Sequence, residues 1–228
     1  MSITLSGRRW LAGAFAFCSF ATLTLLANHP AAGGHTIVDL IKAEASNQLA
    51  DALIHGGFIL TLSALIACFV FLSRSLGMER VSVVVGLVTF STGCGALMAS
   101  MILDGFVVPA LAQRFTGTTG NSDTLIEASA LFIFSGTLIR FLMPMGLCFQ
   151  AAAILSWSLQ MVGHRGWRFV AGALGIAAGL LVMGAIFAAP PRLEAHVLIG
   201  AIALISIWYL SLATALCAGN GWPLPSTG

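Results

Sequence analysis

In Asp51-Ala52-Leu53-Ile54-His55-Gly56-Gly57-Phe58, a polar surface segment turns into a long apolar helix. Asp51 and His55 are four residues apart. On a helix they stack on one face, one turn outside and one turn inside a membrane boundary. An ionisable side chain at that depth is costly and points to a functional site, so the question for the rest of the chain is which other groups reach the same layer.

The chain has 228 residues, of which 58% are apolar and 8% charged, against about 25% charged in an average soluble domain. Apolar runs near the ~20 residues that cross ~30 Å of hydrocarbon recur along it, and lipid leaves backbone groups no partner outside a helix. No period-two alternation supports a barrel. The class is therefore an all-α integral membrane protein. A net charge of +2 gives no argument for nucleic acid; the expected partners are membrane lipids and a homo-oligomer or larger membrane complex. The five cysteines are scattered singly through apolar segments, without a CxxC pair. They read as small core residues, neither a disulfide framework nor a thiolate metal site.

Upstream of the opening stretch, Arg8-Arg9 precede an apolar run at residues 10–27. The run is long for a signal h-region and lacks a clean A-x-A site, so residues 1–28 read as a retained span and not a cleaved signal. After Pro30 and Gly33-Gly34, Thr36-Ile37-Val38-Asp39 carries a capping box, and Ile37, Leu40, Ile41, Ala45 and Leu49 recur at helical spacing among polar residues. This predicts a short interfacial helix between spans one and two.

Downstream, span two covers residues 52–72 and span three residues 81–103, with an apolar pattern that continues to Pro109 and Ala112. Asp104 falls at the boundary, and Asp104-Gly105-Phe106 reads as a helix end. A polar loop at 113–124 leads to a pattern too long for one upright crossing. Span four is placed at 141–159, bent at Pro144, with residues 125–138 as an extension or separate half-helix. Span five, 167–188, carries Ala171, Gly175 and Gly179 as a helix-packing stripe. Span six covers 193–217. Residues 1–217 make one membrane domain, a six-transmembrane-helix bundle, and 218–228 a flexible tail. Trp10, Trp157 and Trp167 read as aromatic-belt residues.

Arg8, Arg9, Arg74, Arg80, Arg165 and Arg168 gather on the side of the termini, so the positive-inside rule puts both termini in the cytoplasm. The outer side then holds Asp39, Glu44, Asp51, Asp104, Asp123, Glu127 and Glu194, and His29, His35, His55 and His196; only Glu79 and His164 are inner. That layer concentrates metal-ligand types.

The reading preferred on these residues is a transition metal (copper, zinc or iron) or haem b site open to the outer face. Its ligands are His55, His196 and Asp104, with His29 and His35 as weaker additions from a loop. Asp104 and Arg140, at similar depth, are expected to form a structural or substrate-binding pair. One alternative is an enzyme acting on a lipid or isoprenoid at the outer leaflet, with Asp104 and His55 as acid and base and Arg140 on the head group. Another is a small-solute transporter or sensor, in which Gly56-Gly57 and Gly93-Cys94-Gly95 permit unwinding or close helix approach. Met98, Met101, Met143, Met145 and Met183 read as core filler more readily than as a copper conduit.

The whole pattern, with His29-Pro30 after span one, His55-Gly56-Gly57 opening span two and Asp104-Gly105-Phe106 closing span three, resembles small bacterial inner-membrane proteins. The resemblance implies an inner-membrane location with the outer face periplasmic, and carries no functional residue with it.

Overall fold

The computed structural model describes residues 5–30, 36–117, 122–188 and 195–219. Among them the chain is helical throughout: α1 (Leu5–Ala27), α2 (Ile37–Leu76), α3 (Val81–Ile102), a π-helical turn (Leu103–Val107), α4 (Val108–Thr116), α5 (Ser122–Met161), α6 (Trp167–Ala188) and α7 (Ala195–Ala218). With α3, the π turn and α4 taken as one, six helices are long and apolar enough to cross a membrane, the architecture of a multi-pass membrane protein. Both described chain ends lie on one face, where the Arg8 guanidinium donates to the Gly219 carbonyl at 3.3 Å. The start of α2 and the end of α4 lie on the opposite face, where Gln113 of α4 reaches Ala45 of α2.

The helix starts are local chemistry. Thr36 caps α2: its hydroxyl accepts from the Asp39 backbone N–H at 3.1 Å while the Asp39 carboxylate accepts from the Thr36 N–H at 3.2 Å. This is the reciprocal box expected of that tetrapeptide. The helix it opens is not a separate interfacial element, however. It runs unbroken for 40 residues into span two, because no Gly or Pro interrupts residues 37–55 and their apolar face finds a partner. Ile41 packs with Val108, Ala112 and Phe115 of α4 and Ala128 and Phe132 of α5, a small core of its own. Gln113 Nε2 donates to the Ala45 carbonyl at 2.8 Å across the same layer. Likewise residues 125–138 are the first part of a single 40-residue α5 that carries Pro144 inside it, not a half-helix. Three helices thus project together beyond the apolar slab on the face away from the termini.

Toward the terminal face the bundle is held by aromatic packing. Phe69 of α2 stacks on Trp157 of α5 (centroids 4.3 Å apart, planes at 4°) and on Trp208 of α7 (5.7 Å, 10°), with Phe15 and Phe90 against its edges. Trp157 is fully buried, so it belongs to the core and not to an aromatic belt; its ring fills space left by Gly86. Trp10 and Trp167, by contrast, are 81% and 48% exposed, as lipid-facing belt residues are. The small-residue stripe of α6 lets α5 and α7 in. The Ala171 carbonyl accepts from Trp208 Nε1 at 3.1 Å, a Cβ on Gly175 would collide with Ser158 and Trp208, and one on Gly179 would sit 2.7 Å from Leu155. Gly93 and Gly146 meet the same way between α3 and α5. Both glycine pairs suggested as unwinding points, Gly56-Gly57 and Gly93-Gly95, lie in unbroken α-helix; Gly57 admits Leu25 and Gly93 admits Gly146 at close range, while Gly95 faces open space.

Candidate metal centre

Among the described residues, span three contains a π turn at Leu103–Val107. It replaces the helix end read from Asp104-Gly105-Phe106, and α4 continues beyond it with Pro109 in its first turn. Such turns insert one residue into a helix and re-aim the side chains around them. Here the Asp104 carboxylate is turned onto His55 of α2, with Oδ2 3.1 Å from Nε2. The neighbouring Gly105 makes that approach possible: a Cβ on it would collide with the His55 Cβ and ring carbon and lie 2.8 Å from Nδ1.

His55 is 1% exposed and its Nδ1 donates to the Asp51 carbonyl one turn back at 2.8 Å. The third member is His29. It follows the end of α1, where its backbone N–H still bonds the Leu26 carbonyl at 3.3 Å. Its Nδ1 donates to the Pro30 carbonyl at 2.9 Å, and its Nε2 lies 3.2 Å from His55 Nε2 and 4.0 Å from Asp104 Oδ2. The two rings stand nearly perpendicular, 79° apart.

The hydrogen-bond assignment is forced by the carbonyls, which can only accept. Each imidazole spends its Nδ1–H on the backbone, so in the neutral ring each Nε2 presents a lone pair. Two nitrogen lone pairs and a carboxylate oxygen then face one another within 4.8 Å. Three acceptors cannot satisfy one another; a proton or a cation must sit among them. Tetrahedral coordination at about 2.0–2.1 Å sets ligand atoms about 3.3 Å apart; two edges of the triangle, 3.1 and 3.2 Å, lie close to this, and the third, from His29 to Asp104, is wider at 4.0 Å. A backbone carbonyl holding the far nitrogen of each imidazole is also the usual way a metal-binding histidine is oriented. The group of His29, His55 and Asp104 could therefore hold a metal ion.

The surroundings favour positive charge. Asp51, 5% exposed, acts electrostatically on His55, His29 and Asp104; Asp39, Glu44 and Asp123 lie in the same projecting layer with Lys42, and Glu127 there pairs with Arg114 at 3.5 Å. The opposite face is basic enough that His164, in the turn between α5 and α6, is held below the ordinary imidazole pKa by partial burial and then by Arg168 and Arg80.

Below the cluster lies a cavity of about 420 Å³ reaching between α1, α2, α3, α5 and α7. His29 and Asp104 are part of its lining, followed by Phe58, Leu62, Leu97, Met101, Leu147 and Ile202, and, deepest, by Gln150, Ser206 and Tyr209.

Of the residues expected from sequence, His55, Asp104 and His29 are brought together. His196 stands in the first turn of α7 and is not a member of the group; His35 lies outside the described residues. The Asp104–Arg140 pair does not form. The carboxylate is engaged by the histidines, and Arg140 is exposed. His29 and His55, with Nε2 atoms 3.2 Å apart and Asp104 beside both, are arranged as ligands of one ion and not as the two axial ligands of a haem, whose nitrogens stand about 4 Å apart. Of the five methionines considered as a copper conduit, Met101 and Met143 line the cavity, Met98 and Met183 pack against the main core and Met145 is 45% exposed, so they form no continuous path. The chain matches no protein-family model, no curated protein and no solved structure.

Proposed function

We propose that this is a bacterial inner-membrane metal protein whose periplasm-facing centre, His29, His55 and Asp104, binds a single transition-metal ion. The observation that carries the reading is the convergence of two Nε2 lone pairs and one carboxylate oxygen, each imidazole being fixed by a backbone carbonyl. Two imidazoles and one carboxylate suit zinc or ferrous iron, whereas copper(I) prefers sulfur. With three protein ligands the ion keeps an open position, so when bound it supplies a Lewis acid to whatever enters from the periplasm or from the cavity. The chain's own part is positional. Gly105 admits the His55 ring, the π turn aims Asp104, and Asp51 adds negative charge. The arginines on the terminal face support the cytoplasmic placement of both termini. A lipid-head-group enzyme has less support: Asp104 and His55 meet as its acid and base would, but Arg140, its head-group ligand, is exposed and outside their group.

Elemental analysis of detergent-purified protein, prepared without chelators, tests the reading. Wild type is expected to carry close to one zinc or iron per chain. His55→Ala, His29→Ala and Asp104→Asn are each expected to lose it while eluting as the same folded species. A metal-free wild type that also fails to take up added zinc or iron would sink the proposal.

A further inference from the structure

The floor of the cavity bears on what enters it. Ser206 and Tyr209 of α7 are 1% and 2% exposed, both line the cavity, and neither hydroxyl has a hydrogen-bond partner. Gln150 of α5, 3% exposed, joins them, its amide nitrogen meeting only the Cys94 sulfur at 3.4 Å. Two unpartnered hydroxyls at one spot in an apolar bundle are expensive unless something accepts from them. No charged side chain lines this end of the cavity. The group that fits is therefore a neutral oxygen, a carbonyl or hydroxyl, and not a carboxylate or phosphate, which would be left without a counter-charge in the middle of the membrane. Between this floor and the mouth the walls are apolar, and the lining of α7 from Leu198 to Tyr209 covers about 16 Å of helix. The volume falls within the ~300–1,000 Å³ typical of small-molecule sites.

We infer that the cavity binds a single-chain apolar molecule that inserts a neutral carbonyl or hydroxyl between Gln150, Ser206 and Tyr209, its other end lying beside His29 and Asp104. Binding depends on the cavity alone. Only the chemistry done at the mouth rests on the metal reading.

The probe is decanol carrying a photoreactive diazirine at mid-chain, added to the full-length protein in nanodiscs, with peptides mapped after irradiation. Label is expected on segments holding Leu62, Leu147 and Ile202. Unlabelled 1-decanol should compete at concentrations about fivefold lower than decane or decanoate, the scale of one net hydrogen bond. The double variant Ser206→Ala, Tyr209→Phe removes two unpartnered hydroxyls and should fold as well as wild type; it is expected to label but to lose the preference for the alcohol. Ile202→Trp, which fills the cavity, should lose the label. Equal competition by decane in wild type, a preference that survives the double variant, or labelling that survives Ile202→Trp would each overturn the inference. Metal content measured on the same samples separates the two readings. Loss of metal in His55→Ala with labelling retained leaves both standing, and a metal-free wild type that still labels removes the proposed centre but not the ligand site.

Discussion

The two halves of this bundle are built from the same helices in opposite ways. Toward the terminal face, Phe69, Trp157 and Trp208 stack at the centre while Gly86 and Gly175 bring the backbones close against the tryptophans. Toward the other face the stack gives way to a cavity, one helix takes a π turn, and the groups at the mouth are titratable. Lipid offers no hydrophobic drive between helices, so close van der Waals contact must hold a membrane bundle together. That contact is concentrated in one half. The other half is left free to keep space and polar groups that packing alone would eliminate.

If the division of labour is real, damage to each half should leave the other readable. Phe69→Ala removes the ring stacked on both tryptophans and should cost about 3–5 kcal/mol, seen as a large drop in melting temperature in detergent. The fraction that remains folded should still bind metal. Acid acts on the other half. Both imidazoles must be unprotonated at Nε2 to serve as ligands, so metal affinity should fall on acidification and recover on return to neutral pH, with little change in helicity. A titration of retained metal against pH checks this, and a flat profile from pH 8 to 5 would exclude histidine ligation. Gly105→Ala changes no ligand atom but puts a Cβ where the His55 ring lies. We expect affinity to drop about 10–100-fold, the usual effect of disturbing the group that orients a ligand, with an overpacking loss of about 1–3 kcal/mol, smaller than that of Phe69→Ala.

The packed half was largely legible in the sequence and the open half only in part. Six apolar runs, the Thr36–Asp39 box and the Ala171-Gly175-Gly179 stripe follow from periods and local chemistry that act within one helix. Trp157 was misplaced because depth along a helix does not reveal which way the side chain faces; only Gly86 opposite it decides that. The interfacial helix was misplaced because polar residues at 37–51 look self-sufficient, whereas Ile41 is buried by α4 and α5, which lie far along the chain. His55 and Asp104 could be singled out by their cost in a membrane. What joins them could not, since a π turn has no sequence signature of its own; the one hint was a span three longer than a bilayer requires. His29 is hard to single out in the sequence for the opposite reason. It sits past a helix end, where a histidine costs little, and its role comes entirely from where Pro30 and α2 place it.

His196 gives the finest discrimination, because it shares every property visible in sequence with His55: a histidine about one turn into a span on the acidic face. Sequence alone gives the two equal claim as ligands. In the fold the ligand triangle is already complete without His196, which opens α7 apart from the group. His196→Ala should therefore leave metal stoichiometry within error of wild type under conditions where His55→Ala abolishes it. A loss equal to that of His55→Ala would mean that α7 swings its first turn onto the metal, filling the open position and removing the vacancy at which a periplasmic ligand could bind. Unchanged stoichiometry would keep that position open and would confirm that depth in the membrane selects candidate ligands, while the turn at Leu103–Val107 decides between them.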